Sequence, residues 1–429
     1  MDKQLILKLF QEYDLFLSQV SKESRNEYHA LFSLRTYYVL HGNFASKDRV
    51  RFLLMTFFKI IGGVLLYPFI DYQLSQRRKV IFLRSYEQIR FDTGDKIPSA
   101  RIERKYSFLC RFQGWFSLII EYAACVKKLF SCRGLHTDNI LYVLSNLLNY
   151  LLVYRKIDMG NVKVLVAEND LYPPQIAAIQ KAKDSGAKTI KIEESFIDTT
   201  NHNNIFCEYY FCPGEFYRRI RGRFIMNHGV KYIDGGIIGW DALSKYRHTP
   251  AEGARHILFI CQHSGAVDEF RYIDDILSVT STRDVLLIKV HPRDNLSRFQ
   301  VYADNPRCKI VRHGDMSNYE LISRVDYCFS VNSVLSVEAK HIMNYSFFIN
   351  YSLPNDQEIF DYDLAKDYFD IITSREQLQA ALNGRMELKE LELCRQGFNM
   401  AYPHSREKFE RLIDSFLNEG SAMAVAKTV

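Results

Sequence analysis

Val285-Leu286-Leu287-Ile288-Lys289-Val290-His291-Pro292-Arg293-Asp294 is the stretch that leaves this chain least freedom. A run of five or six mostly apolar residues, stopped by a His-Pro pair, reads as a buried strand, because proline has no N–H with which to continue a ladder. Buried strands of this kind belong to α/β sheets, whose ligands bind outside the carboxyl ends of the strands. His291 stands at such an end, so its imidazole is a candidate ligand group.

Similar short runs punctuate the chain. Val80–Leu83, Val162–Ala167, Lys188–Ile192, Ile205–Phe211 and Val230–Ile233 precede the His-Pro strand together with Ile257–Cys261, and Cys308–Val311, Asp326–Val331, Tyr345–Asn350 and Asp370–Thr373 follow it. Between them lie helical patterns: Gln175–Asp184, closed by Ser185-Gly186 as a C-cap, then Asp268–Leu277, Met316–Ser323 and the segment carrying Ser336 and Glu338. Ser374 and Gln377 fit a capping box for a helix through Leu382, and a last helix, Ser405–Leu417, carries Phe409, Leu412, Ile413 and Phe416 on one face that needs a partner. Strand alternating with helix predicts parallel sheets. At 429 residues two such units are expected, divided at the polar linker Arg247–Gly253.

Residues 1–76 read as a helical extension, and Ile102–Tyr154 as helical too, with Trp115, Phe116, Ile119, Ile120 and Ala123 as core. Phe52–Ile70 is the most apolar stretch, flanked by Lys47, Arg49, Arg51 and by Arg77, Arg78, Lys79. A buried helix, a face lying on anionic lipid and a transmembrane span all fit its length, although Lys59 in its middle weighs against the last. The last dozen residues are small and polar and read as a disordered tail.

The net charge of +6, spread without a basic domain, argues against a nucleic-acid binder and fits anionic substrates or a membrane surface. Nine cysteines, none in a C-x-x-C pair or at zinc-ligand spacing, read as buried thiols in a reducing cytoplasm, with no metal site. No signal-peptide pattern opens the chain. A cytoplasmic protein is expected, with contact at the inner face of the plasma membrane if Phe52–Ile70 touches lipid.

Several strand ends are polar. The run at Ile192 ends in Glu193-Glu194-Ser195; a carboxylate there serves either as general base on a hydroxyl or simply as a solvated strand end. Arg218, Arg219, Arg221 and Arg223 follow and read as a solvated face. In the second half Gln262-His263-Ser264-Gly265 follows Cys261, and Ser330-Val331-Asn332-Ser333 opens a helix. Such polar groups before a helix offer neutral donors to a phosphate, while Ser333 is equally suited to be an N-cap. With His291 these form three polar ends on one rim.

On these residues the chain resembles the GT-B bacterial glycosyltransferases that use CMP-activated sugars (sialyltransferases, polysialyltransferases and Kdo transferases) and the related CDP-glycerol transferases. Glu193-Glu194-Ser195 matches the acidic motif, His291-Pro292 the His-Pro motif and Ser330-Val331-Asn332-Ser333 the serine motif, over roughly Val162–Leu353. The resemblance implies two Rossmann-like domains facing a central cleft: 77–250 for the acceptor, and 251–429 for the nucleotide sugar, with its final helix packing back toward the first. It implies an inverting, metal-independent transfer to a surface polysaccharide or lipooligosaccharide, with no cofactor beyond the donor. Glu194 would be the base, with Glu193 and Asp198 as rivals. His291 would meet the leaving phosphate, and Gln262, His263, Ser264, Gly265, Pro292, Ser330, Asn332 and Ser333 would hold the donor. UDP- or GDP-sugar transferases, and a non-catalytic polysaccharide-assembly protein of the same fold, are the other readings.

Overall fold

The computed structural model describes residues 60–61, 63–64, 70–74, 78–83, 99–100, 102–106, 116–120, 122–123, 148–168, 173–193, 205–223, 227–249, 252–262, 269–292, 294–343, 345–351 and 360–426. Most of the helical extension and of Phe52–Ile70 lies outside these residues, as do Glu194, Asp198, His263, Ser264 and Gly265.

The described strands are β1 (Ile70–Leu74), β2 (Val80–Leu83), β3 (Ser99–Ala100), β4 (Ile102–Tyr106), β5 (Val164–Ala167), β6 (Lys188–Ile192), β7 (Tyr209–Cys212), β8 (Lys231–Asp234), β9 (His256–Ile260), β10 (Val285–Lys289), β11 (Cys308–Val311), β12 (Tyr327–Ser330), β13 (Ser346–Ile349) and β14 (Ile371–Ile372). Twelve of them make two six-stranded sheets in which every neighbouring pair is parallel, and β1 and β4 form a separate two-stranded sheet. The two Rossmann-like α/β units that the strand–helix alternation predicts are therefore present.

Their strand orders differ. The first sheet runs β3-β2-β5-β6-β7-β8, so its order reverses between β2 and β5. The second runs β11-β10-β9-β12-β13-β14, the doubly wound order in which the first strand of the unit lies at the centre, and it reverses between β9 and β12. Such reversals place the crossover helices on opposite faces and leave a crevice at the carboxyl edge, where the chain moves away to either side.

The helices that position the site are α1 (Pro173–Asp184), α2 (Glu215–Gly222), α3 (Glu269–Val279), α4 (Asn318–Ser323), α5 (Val334–Ile342), α6 (Tyr362–Ala365), α7 (Arg375–Leu382), α8 (Leu391–Phe398) and α9 (Ser405–Ala426). Alternate residues of each strand enter opposite faces. In the first sheet Val80, Phe82, Val164, Val166, Ile190, Ile192, Tyr209 and Phe211 face Phe409, Ile413 and Phe416 of α9, while Ile81, Leu83, Leu165 and Ala167 pack with α1. The partner required by the apolar stripe of the last helix is thus a face of the first sheet. The chain returns to that sheet past two tight crossings: a Cβ at Gly214 would run into the carbonyl of Gly397, and Gly236, at φ +79, lies against Asn399 and Ser405.

Three expectations are corrected. Ile70–Leu74 and Ile102–Tyr106 are not helical but form an antiparallel pair, with Ile70 opposite Tyr106 and Leu74 opposite Ile102. The period-two alternation of Ile-Asp-Tyr-Gln-Leu is a strand signal that the surrounding apolar density masks, while Ile-Glu-Arg-Lys-Tyr is apolar only at its two ends and carries no such signal. The last helix also continues past Leu417 to Ala426, through small residues of fair helix propensity. The Ser374 cap forms as expected, but Gln377 reaches back to the N–H of Thr373, one residue beyond the usual capping-box partner.

Phe409 is 1% exposed and seals the first sheet from the far end of the chain. Phe409→Ala is expected to cost about 3 kcal/mol through lost burial and a cavity, measured as a lower urea midpoint at unchanged slope.

Candidate functional site

At the second sheet's point of reversal, β9 empties into Cys261-Gln262 and β12 into Val331-Asn332-Ser333. The side chains of Gln262 and Asn332 are both half-buried and make no hydrogen bond among the described residues. Two free amides thus flank the crevice, one on each strand.

Below Asn332 the turn is built from serines. The hydroxyl of Ser330 accepts the N–H of Ser333 at 3.1 Å and a proton from Ser336 Oγ at 2.7 Å. Ser333 caps α5, its Oγ accepting the N–H of Leu335 at 3.3 Å, and it keeps a hydroxyl proton to donate outward. Ser330 was expected among the donor contacts, and this is corrected: its side chain is 0% exposed and consumed inside the turn, so it shapes the rim without reaching it. A serine on the last inward position of a strand cannot face outward as well.

His291 is half-buried directly beyond β10, and its carbonyl accepts the N–H of Asp294 at 2.9 Å, which closes the His-Pro turn. Asp294 is held in turn by Arg298 at 2.7 Å. Pro292 is exposed in this turn. β10 pairs directly with β9, so His291 lies one strand from Gln262.

The backbone N–H of Gln262 does not point outward. It donates to Oε1 of Glu269, the first residue of α3. Glu269 is buried, its Oε2 has no partner, and burial pushes its carboxyl up from 4.5 to about 7, against the Gln262 N–H and Arg298, which pull it down. The phosphate-loop reading of Gln262–Gly265 missed this residue; an acidic residue seven positions after Gln262, opening a helix, is its sequence signal.

In the first sheet Glu193 ends β6, but it is not open to a substrate. Its Oε1 accepts from Arg221 and, at 3.2 Å, from the Tyr210 hydroxyl, while its Oε2 is 4.0 Å from Lys191 Nζ. Both oxygens are engaged in the interior, so Glu193 organises the strand end and is corrected as a candidate base. Arg221 is 0% exposed, which also corrects the reading of the arginine cluster as a solvated face. Each arginine of the cluster meets an acid: Arg218 meets Asp234, Arg221 meets Glu193, Arg219 reaches Asp367 at 2.7 Å, and Arg223 reaches Asp361.

The last two pairs cross to the second half, and one of them leads to the candidate site. Asp361 caps α6, and the next residue, Tyr362, donates its buried hydroxyl to the carbonyl of Val331 at 2.8 Å. A chain of contacts therefore runs from Glu193 through Arg221 and α2 to Arg223, Asp361, Tyr362 and the β12–α5 turn. It joins the carboxyl edges of the two sheets. Among the described residues no group of three or more His, Cys, Asp or Glu side chains gathers where a metal ion would sit, and no helix is long and apolar enough to cross a membrane.

No family model matches the chain, and no curated protein matches it in sequence. Among solved structures the chain is similar to the wall teichoic acid polymerase TagF, with TM-score 0.41 and 12% identity over 88% of this chain and 99% of that one. It is also similar to MurG from Acinetobacter baumannii, with TM-score 0.38 and 13% identity over 62% of this chain and 77% of that one. For TarM the values are 0.36 and 10%, over 64% and 58%.

Two outcomes test this geometry. Between 4.5 and about 7 the folded Glu269 holds a proton that the unfolded chain has released, so its contribution to stability is full below the lower value and is lost as pH rises through the upper one. Glu269→Gln is expected to flatten that part of the stability-against-pH curve; equal slopes in both proteins would refute it. Tyr362→Phe is expected to cost about 1 kcal/mol and to speed amide hydrogen exchange at Asn332–Leu335 while leaving β2 and β5 protected.

Proposed function

We propose that the protein is an inverting GT-B glycosyltransferase that moves a sugar from a nucleotide-activated donor, of the CMP-linked class, onto a surface polysaccharide or lipooligosaccharide. The observation that carries this reading is the pair of free amides, Gln262 and Asn332, across the second sheet's point of reversal, with the start of α5 and His291 on the same edge. A neutral amide pair, a helix N-terminus and an imidazole suit a phosphate ester that becomes a leaving group.

In the reaction the acceptor oxygen attacks the anomeric carbon from the face opposite the phosphate. The carbon–oxygen bond to phosphate breaks, a glycosidic bond forms with inversion, and the acceptor proton goes to a carboxylate of the first domain. Glu194 is the residue we assign to that base, with Asp198 as its remaining rival now that Glu193 is committed to Arg221. His291 donates a hydrogen bond or a proton to the departing phosphate, and Ser333 and Asn332 take up the charge that remains. Protein donors thereby fill the role that a metal ion plays in other transferases.

A thermal-shift panel of CMP, CDP, UDP and GDP is the first test, since a ligand that binds the folded state raises its midpoint. CMP and CDP are expected to stabilise the protein. A shift with UDP alone would reassign the base, and no shift with any nucleotide would sink the donor site. His291→Ala is expected to keep the nucleotide shift and to slow turnover on the order of a hundredfold or more. A wild type that binds acceptor glycan but releases no nucleotide from any donor would point instead to a non-catalytic assembly protein.

A further inference from the structure

Three lysines are buried among the described residues: Lys191, Lys289 and Lys340. Two of them have partners. Lys191 donates to the carbonyl of Glu168 and faces Glu193, and Lys340 donates to Asp370 at 2.7 Å. Lys289 is 7% exposed and makes no hydrogen bond or ion pair among the described residues. The acid whose charge reaches it, Asp315 in the loop after β11, already accepts the N–H of Arg312 at 2.8 Å. Burial holds the Lys289 ammonium below its ordinary pKa, because little around it favours the charge.

Its position follows from strand alternation. Leu286, Ile288 and Val290 enter the cluster that holds Tyr272, Ile273 and Ile276 of α3, whereas Leu287 packs on the opposite face with α4 and α5. Lys289 is the last residue of β10 and shares the face of Leu287. It pairs in register with Val311 on one side and Ile260 on the other, and both belong to the cluster that includes Leu321 of α4 and Leu335 in the first turn of α5. Its stem therefore lies under these helices at the carboxyl edge, one strand spacing from Ile260, which shares a cluster with Leu335 of α5. Two residues further along the chain stands His291.

We propose that Lys289 is the cation that receives the phosphate of the donor, set between the start of α5 and the His-Pro turn. This rests on the reading of that edge as a nucleotide-sugar site. Of the other assigned contacts Gln262, Asn332 and Ser333 are neutral, His291 is cationic only when protonated, and a helix N-terminus carries only a partial positive charge. A buried ammonium that no acid among the described residues meets within ion-pair distance, Asp315 acting on it only from the exposed loop after β11, is costly in the empty protein and becomes a strong ligand once an anion enters, since the charged hydrogen bond then forms out of water.

The experiment titrates wild type, Lys289→Met and Lys289→Arg with inorganic pyrophosphate, cytidine and CMP, following the midpoint of thermal unfolding and the heat of binding. In the wild type CMP is expected to bind at least about tenfold more tightly than cytidine; in Lys289→Met that ratio is expected to fall close to one, and in Lys289→Arg to survive in part. Free of ligand, Lys289→Met is expected to melt no lower than the wild type, because Met fills the stem's volume and removes an unpaired charge. Pyrophosphate that binds the wild type and not Lys289→Met, in a protein that ignores nucleosides and nucleotides, would keep the anion site and remove the donor reading. CMP binding that is equal in wild type and Lys289→Met would keep the donor reading and overturn the role of Lys289. Absence of binding by both pyrophosphate and CMP to the wild type would overturn both.

Discussion

A strand covered by helices on both faces has nowhere to place a polar side chain except near its ends, and this constraint shapes the whole molecule. In β2, β5, β7, β12 and β13 every residue is buried. Charge and hydroxyl groups that belong to strands therefore sit near their ends: Thr189 and Ser346 toward the amino ends of β6 and β13, and at the carboxyl edge Lys191 next to last in β6, Lys289 last in β10 and Ser330 last in β12. Each must then be partnered inside the protein or kept for something that enters from outside. Lys191 and Ser330 take the first course, which is why neither is free to act on a substrate.

Two such edges act together only if something holds them in register, and here α2 does so. The inner contact, Arg221 with Glu193, is desolvated on both sides, so removing either partner would strand a buried charge. The outer contacts are of another kind. Arg223 is more than half exposed, and Arg219 and Asp367 are nearly so, which makes each of these pairs weak in water. In a joint built in this way the outer pairs are the weaker ones and the inner pair the costlier to break. The β12–α5 turn is tied to the outer pair through Tyr362, because the residue that meets Arg223 is the immediate neighbour of the one that bonds Val331.

The run-and-stop pattern made the strands of the second unit legible, together with the helices after β9, β11, β12 and β14, since local chemistry sets those limits, whereas α6, α8 and the far end of α9 carried no such signal. The spatial order of the strands is not local. Only the packing shows that β9 lies at the centre and that Gln262 and Asn332 flank the reversal. The same holds for side chains. Glu193 looked like a solvated acid because its partner is 28 residues away on another element, and the arginines of α2 looked alike although one is in the core and two reach residues 361 and 367. Serine at 330 and serine at 333 are indistinguishable in sequence; their strand and cap positions send one inward and leave the other at the rim.

The second sheet's edge also carries two electrostatic costs that a purely structural edge would have relieved. Glu269 is held near neutrality by burial, and the Lys289 ammonium is disfavoured by the same cause, yet the two do not pair. The sheet itself separates them: Glu269 opens α3 on the face of Leu286 and Ile288, whereas Lys289 rises on the face of α4 and α5. Glu269 accepts the N–H of Gln262 through Oε1, while its Oε2 has no partner, and so fixes how β9 leaves the sheet. Lys289 fixes nothing within the protein. An ammonium without a direct partner, kept where a methionine would pack as well, is what a site does when the pairing charge arrives with the ligand, and its pairing with Ile260 places it at the edge from which the chain runs on to Gln262 and Asn332.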